Sequence, residues 1–290
     1  MKKIFTLIGL VMISLMLSGC KSDSMEDITI YTSVYPIEYV TSELYGNHAK
    51  IYNMYPQGIE PYDYKFTDKQ IADFSEADLV IYNGIDNEKD LIVKMIDNNQ
   101  NLKIIDATNR IDITDNIDEV WINPSNILMI AKNIKDGLNE YVTSDLIKED
   151  IEEKYETLKL KISGIDADLK EMAENAKDKN LVVSSNQFLF LKKYGFNIIS
   201  LDEDTYTERD YSEAKSLIDN GTVKYVFMKD TEVVNNEINN GVVKRLKGEA
   251  EFNIKLIDTL DNINTSDKND GLNYYTIMND NLDKLKQELY

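Results

Sequence analysis

The chain has 290 residues, with 52 Asp and Glu against 32 Lys and Arg, and a single histidine, a single cysteine and a single tryptophan. That length suits two domains with cores of their own and excludes a disulfide-stapled miniprotein. A net charge of −20 with no basic cluster argues against nucleic acid as a partner, and one Cys with one His excludes a CxxC metal site and a His-rich zinc site.

In chain order, Lys2 and Lys3 precede an apolar run over 4–17 and the sequence Leu17-Ser18-Gly19-Cys20. A charged start, a short apolar core and small residues predict a secretory signal peptide over 1–19, too short for a comfortable membrane span. The end of this segment resembles the bacterial lipobox. Cys20 is then the expected lipidation site, residues 20–26 a lipidated tether, and the outer face of the bacterial cell membrane the expected location. Removal of Lys2 and Lys3 leaves an acidic exported chain.

Strand-like β-branched runs follow at 28–33, 50–54, 78–83 and 103–106, with helical patterns at 37–45, 68–75 and 88–97 between them. This alternation predicts a parallel sheet covered by helices. Pro124 opens a helix over 124–138. A longer helix over 144–177 carries Leu146, Ile147, Ile151, Tyr155, Leu158, Ile162, Ile165, Leu169, Met172 and Ala176 at three- and four-residue steps. Strand patterns return at 181–185, 197–201, 223–228 and 254–258, with helices at 188–194, 211–219, 232–246 and 273–289. The expected fold is α/β: two four-stranded parallel-sheet lobes joined by a long rigid backbone helix, with a ligand cleft between the lobes. The boundaries expected are 27–139 for the N-terminal lobe, 140–179 for the connecting helix and 180–290 for the C-terminal lobe.

The segment Tyr55-Pro-Gln-Gly-Ile-Glu-Pro-Tyr-Asp-Tyr64 resembles the Pro-x-Gly-x-Glu-Pro-His motif of the solute-binding lipoproteins of zinc and manganese ABC transporters. Ser33-Val34-Tyr35-Pro36, Ala77 through Gly84, Val120-Trp121-Ile122-Asn123-Pro124, Lys193-Tyr194-Gly195 and Asn281 through Leu285 agree with the family in order and spacing. The resemblance implies a metal cation held at the lobe interface and delivered to an ABC permease powered by a cytoplasmic ATPase. It also implies four ligand positions, here filled by Tyr62, Glu119, Ser185 and Asp258, with Asn186 an alternative to Ser185. Where the family commonly places imidazoles this chain has none. Its only histidine, His48, matches no ligand position and reads as a solvated loop residue.

Two carboxylates, a phenol and a hydroxyl form an all-oxygen set, which disfavours zinc and favours manganese, iron or another hard cation. Glu119 and Asp258 brought together without a cation repel, so a cation or a proton is expected between them. Glu60, Asp63 and Asp118 flank the ligand positions as hydrogen-bonding or auxiliary oxygen groups. The acidic run Asp202-Glu203-Asp204 reads as a surface loop, and Trp121 as packing beneath the cleft. The competing readings keep the fold but change its use: a small organic or chelated solute as cargo, or a surface adhesin or scaffold that has lost metal binding. No Gly-x-Ser-x-Gly, phosphate loop or HExxH is present to suggest an enzyme. A monomer is expected.

Overall fold

The computed structural model describes residues 25–59, 61, 64–85, 88–111, 120–260, 263 and 265–290. Strands β1 (Ile28–Thr32), β2 (Ala49–Asn53), β3 (Leu79–Tyr82) and β4 (Lys103–Asp106) pair in parallel in the order β2-β1-β3-β4. They alternate with α1 (Tyr35–Tyr45), α2 (Asp68–Ser75) and α3 (Glu88–Asn98). Helices α4 (Pro124–Tyr141) and α5 (Asp145–Asn175) then lead to a second parallel sheet. This sheet contains β5 (Asn180–Val183), β6 (Asn197–Ser200), β7 (Tyr225–Lys229) and β10 (Asn253–Ile257), in the order β10-β7-β5-β6. Read from its other end, that order repeats the topology of the first sheet. The remaining elements are two 3₁₀ stretches (Asn186–Tyr194 and Asp230–Glu232), α6 (Glu208–Asp219), the antiparallel hairpin β8 (Val233–Val234) and β9 (Glu237–Ile238), α7 (Gly241–Glu249), α8 (Thr265–Asn269) and α9 (Tyr274–Leu289).

Each sheet is buried on both faces, which is why its strands read as nearly continuous apolar runs. One face of the first sheet packs Val80 with Ile71, Phe74, Leu91, Ile92 and Met95 from its own helices. The corresponding face of the second packs Val182 and Val226 with Ala214, Ile218, Val243 and Leu246. The other two faces meet one shared core, in which Ile30, Leu79, Leu181 and Phe227 join the buried stripe of α5. That stripe runs Ile147, Ile151, Leu158, Ile162, Ile165, Leu169, Met172 and Ala173. Leu146, expected on it, is instead 78% exposed, because it precedes the first stripe position by one residue and points outward.

A buried large aliphatic side chain contributes about 1.5–3 kcal/mol, whereas exposed pairs on the opposite face, such as Lys159 with Glu156, contribute about 0–1 kcal/mol each. Burial of the stripe therefore holds α5 against both lobes.

Two expectations are corrected here. The helix expected over 232–246 begins only at Gly241, and a hairpin precedes it. Asn235 and Asn236 both adopt left-handed backbone (φ 51° and 64°), the requirement of a two-residue turn whose twist matches its strands. His48 is not a solvated loop residue. Its Nε2 lies 2.7 Å from Asp150 on α5, and Asp150 also pairs with Lys154 at 2.7 Å. The same corner receives the incoming chain: Met25 is buried, its carbonyl accepts from the Tyr45 hydroxyl, and Asp27 N donates to the His48 carbonyl.

The Lys154 ammonium holds the Asp150 carboxyl below the usual carboxylate range; burial opposes it less strongly, and the His48 ring adds a smaller lowering effect. A carboxyl lowered in the folded state contributes stability above its unfolded value, near 3.8, and loses it as pH falls through the folded value. Asp150→Asn is accordingly expected to lower stability at neutral pH. Urea unfolding down to about pH 3 should show the gap to wild type shrinking only below the unfolded value.

Candidate functional site

In open α/β sheets, ligands sit beyond the carboxyl ends of the strands, at the point where strand order reverses. In the first sheet that point lies between β1 and β3, where Asn83 N donates to Ser33 Oγ at 3.1 Å. In the second it lies between β5 and β7, where Lys229 N donates to Ser184 Oγ at 3.3 Å. Ser184 also donates to Glu232, whose carboxylate accepts from Lys229 N and from Asn240 Nδ2. This partly buried network fixes the loop after β7.

Asp258 follows the last residue of β10. Its backbone is clamped by Asn281, whose amide donates to the Asp258 carbonyl at 2.8 Å and accepts from its N–H at 3.2 Å. Its Oδ1 accepts from Leu260 N at 2.8 Å, across a turn in which Leu260 has a left-handed φ of 65°. Burial pushes the carboxyl up to about 6; Asp230 and Asp267 push the same way, while the Leu260 N–H and Lys284 oppose the rise.

Asp230 follows β7, the strand between β5 and β10, so it lies between Ser185 and Asp258 in strand order. Strands are about 4.8 Å apart, placing the ends of β5 and β10 roughly 10 Å from each other. The Asp230 carboxyl is also raised, chiefly by lost hydration, although the residue is exposed to solvent.

The N-terminal lobe contributes the first turn of α1. Glu38 Oε2 accepts from Asn53 Nδ2 at 3.1 Å, at the end of β2, and its Oε1 lies 2.6 Å from Lys268 Nζ on α8. This ion pair crosses from one lobe to the other. The same ammonium lies 5.3 Å from the centroid of the Tyr35 ring. Burial drives the Tyr35 hydroxyl far above the usual phenol range, and the charges of Glu38 and Asp258 add to that rise. Behind Tyr35, Tyr39 stacks on Tyr274 at 5.5 Å, and the Tyr274 hydroxyl donates to the Trp121 carbonyl at 2.7 Å. Trp121 is 1% exposed and belongs to the shared core.

Of the four candidate ligands, Ser185 and Asp258 are described; Tyr62 and Glu119 lie outside the described residues, as do Cys20, Glu60, Asp63 and Asp118. Ser185 is buried and caps the 3₁₀ stretch, its Oγ accepting from Gln187 N at 3.3 Å. Asn186, the alternative occupant, spends its amide on Thr205 Oγ1 at 2.7 Å, on the loop after β6. That loop is the acidic run. Asp202 accepts from Thr205 Oγ1, and Glu203 accepts from Gly241 N at the start of α7, so both carboxylates close turns and helix ends. Among the described residues no three His, Cys, Asp or Glu side chains converge closely enough to hold a metal ion. Sequence reasoning missed Tyr35, Glu38, Asp230 and Lys268 as site residues. Tyr35 and Asp230 carried a signal, since each sits just after a strand flanking a switch point.

The family model described as zinc-uptake complex component A, periplasmic, matches residues 30–288. The zinc-binding lipoprotein AdcA of Streptococcus pneumoniae is 22% identical over 316 residues, an alignment covering 99% of this chain. The chain spans only 61% of the length of that relative. The high-affinity zinc uptake system protein ZnuA of Bacillus subtilis is 22% identical over 302 residues, covering 93% of this chain and 90% of that protein. Among solved structures, the metal-dependent lipoprotein YcdH of Bacillus subtilis superposes with a TM-score of 0.74 at 22% identity, covering 91% of this chain and 99% of that one.

Proposed function

We propose, from the premise that this chain belongs to the family of the periplasmic zinc-uptake complex component A, that it is the solute-binding subunit of a metal-type ABC importer and carries a cation between its lobes. The observation that supports the reading is the meeting of the two sheets' carboxyl ends across one seam. There Glu38 on α1 pairs with Lys268 on α8, and Tyr39 of α1 stacks on Tyr274 of α9. The partners in this reading are a permease with its cytoplasmic ATPase, and the membrane through lipid on Cys20.

The cargo proposed is a hard cation, manganese or iron ahead of zinc. Tyr62, Glu119, Ser185 and Asp258 would all offer oxygen, and oxygen sets suit hard ions. The single imidazole of the chain is committed elsewhere, to Asp150. Metal-stripped protein lacking residues 1–19, titrated calorimetrically with manganese, zinc and ferric ions, tests this. Manganese or iron bound more tightly than zinc is the expected result. Failure of all three ions to bind more tightly than about micromolar, roughly −8 kcal/mol, would sink the cation reading.

A further inference from the structure

Lys268 is a cation that the chain itself supplies to the seam between the lobes. Its ammonium is 2.6 Å from Glu38 Oε1 and 5.3 Å from the centroid of the Tyr35 ring. The pair is no ordinary surface contact: the side chains of Lys268 and Glu38 are only 28% and 17% exposed. Neither partner is loosely placed. The second oxygen of Glu38 is fixed by Asn53, and Lys268 sits on α8 between the strand end at Asp258 and the start of α9. The residue before it, Asp267, is acidic, and Asp230 and Asp258 follow strands β7 and β10 of the same lobe.

We propose that Lys268 is a tethered counter-cation. It occupies the cation-accepting seam of the unloaded protein through Glu38, and an incoming cargo ion displaces it and takes over the Glu38 carboxylate. The proposal rests on the cation reading above and adds the group that sets the threshold for loading. A dication carries twice the charge to the same carboxylate and can exchange. Because only the open fraction of the protein binds cargo, the apparent dissociation constant is the intrinsic one divided by that fraction.

The two halves of the pair therefore have opposite roles. Lys268→Met keeps the aliphatic stem and removes the competitor, so manganese is expected to bind roughly tenfold more tightly, the change that corresponds to a seam closed about nine-tenths of the time. Glu38→Gln also breaks the pair, but it removes the carboxylate the ion would inherit, so binding weakens. A merely structural ion pair would make both variants weaken binding together.

The test is calorimetric titration of manganese and zinc into the wild type, Lys268→Met and Glu38→Gln, with labelling of Lys268 by an amine-acetylating reagent followed by mass spectrometry. Tighter binding by Lys268→Met, weaker binding by Glu38→Gln and faster labelling of Lys268 on adding manganese are the expected results. If the wild type binds an ion but Lys268→Met binds it no more tightly, or if labelling does not rise on loading, the tethered-cation proposal is overturned while the cation reading stands. If the wild type and both variants bind neither ion, the cation reading itself fails and takes this proposal with it.

Discussion

Replacement of Trp121 by alanine is expected to destabilise the protein by about 3–5 kcal/mol, the range for emptying a large aromatic site in a packed core. Against a total of about 5–15 kcal/mol for an ordinary domain, that change brings the fold close to its limit. The indole is 1% exposed, and its neighbour contacts belong to the core shared by both lobes, so the cavity would open where the sheets and α5 meet. The backbone at this position also accepts the Tyr274 hydroxyl, so a collapse here disturbs the stacking of Tyr274 on Tyr39.

Trp121→Phe is expected to be far milder, below about 1.5 kcal/mol. The buried Nε1 of Trp121 has no hydrogen-bond partner among the described residues, and an unsatisfied buried donor costs about 1–3 kcal/mol, which the substitution recovers against the smaller volume. Because Trp121 is the only tryptophan, the measurement is urea unfolding followed by circular dichroism rather than by indole fluorescence. Equal losses for the alanine and phenylalanine variants would show that the indole N–H, not the ring volume, carries the effect.

Asp258→Asn is expected to weaken cation binding by about 100-fold or more, about 2.7 kcal/mol, while leaving the fold intact. Groups that merely orient a metal's ligands contribute 10–100-fold, so loss of a charged ligand should reach at least the upper end. The substituted amide oxygen can still accept from Leu260 N, and the Asn281 clamp uses only backbone atoms of residue 258. Calorimetry with manganese alongside thermal unfolding separates the two effects. Unchanged affinity in a normally folded variant would remove Asp258 from the ligand set.

The strands were legible because burial on both faces leaves a run of Val, Ile and Leu with charged or turn residues at each end; 103–106 is expected and found over the same residues. The long helix was legible because one stripe faces two lobes. What was not legible depends on contacts between distant residues. His48 and Asp150 are 102 positions apart, and nothing around either one announces the pair. Lys268 lies on a five-residue polar helix with no apolar period, 230 positions from Glu38. The hairpin at 233–238 did carry a local signal, Asn235-Asn236 between apolar pairs, but the apolar spacing of 232–246 also fits a helix, and the left-handed turn decided the outcome. The matched strand order of the two lobes left no sequence repeat to read, since topology constrains where strands pair and not which apolar residue fills them.

Helix α5 has a mechanical consequence. Its 31 residues make a rod of about 46 Å, packed against α1, α4 and α9. Lobes fixed along a rod cannot swing apart as lobes on a slack linker do, so in the proposed carrier role the free protein would spend little entropy in closing on a cargo and would have few wide-open states through which to lose it. Slow escape would be the kinetic counterpart of that stiffness. Unloading at a useful rate would then require an outside force on the two lobes, applied by the surface against which the loaded protein docks, and the stiffness that retains the cargo in transit would make its release depend on arrival.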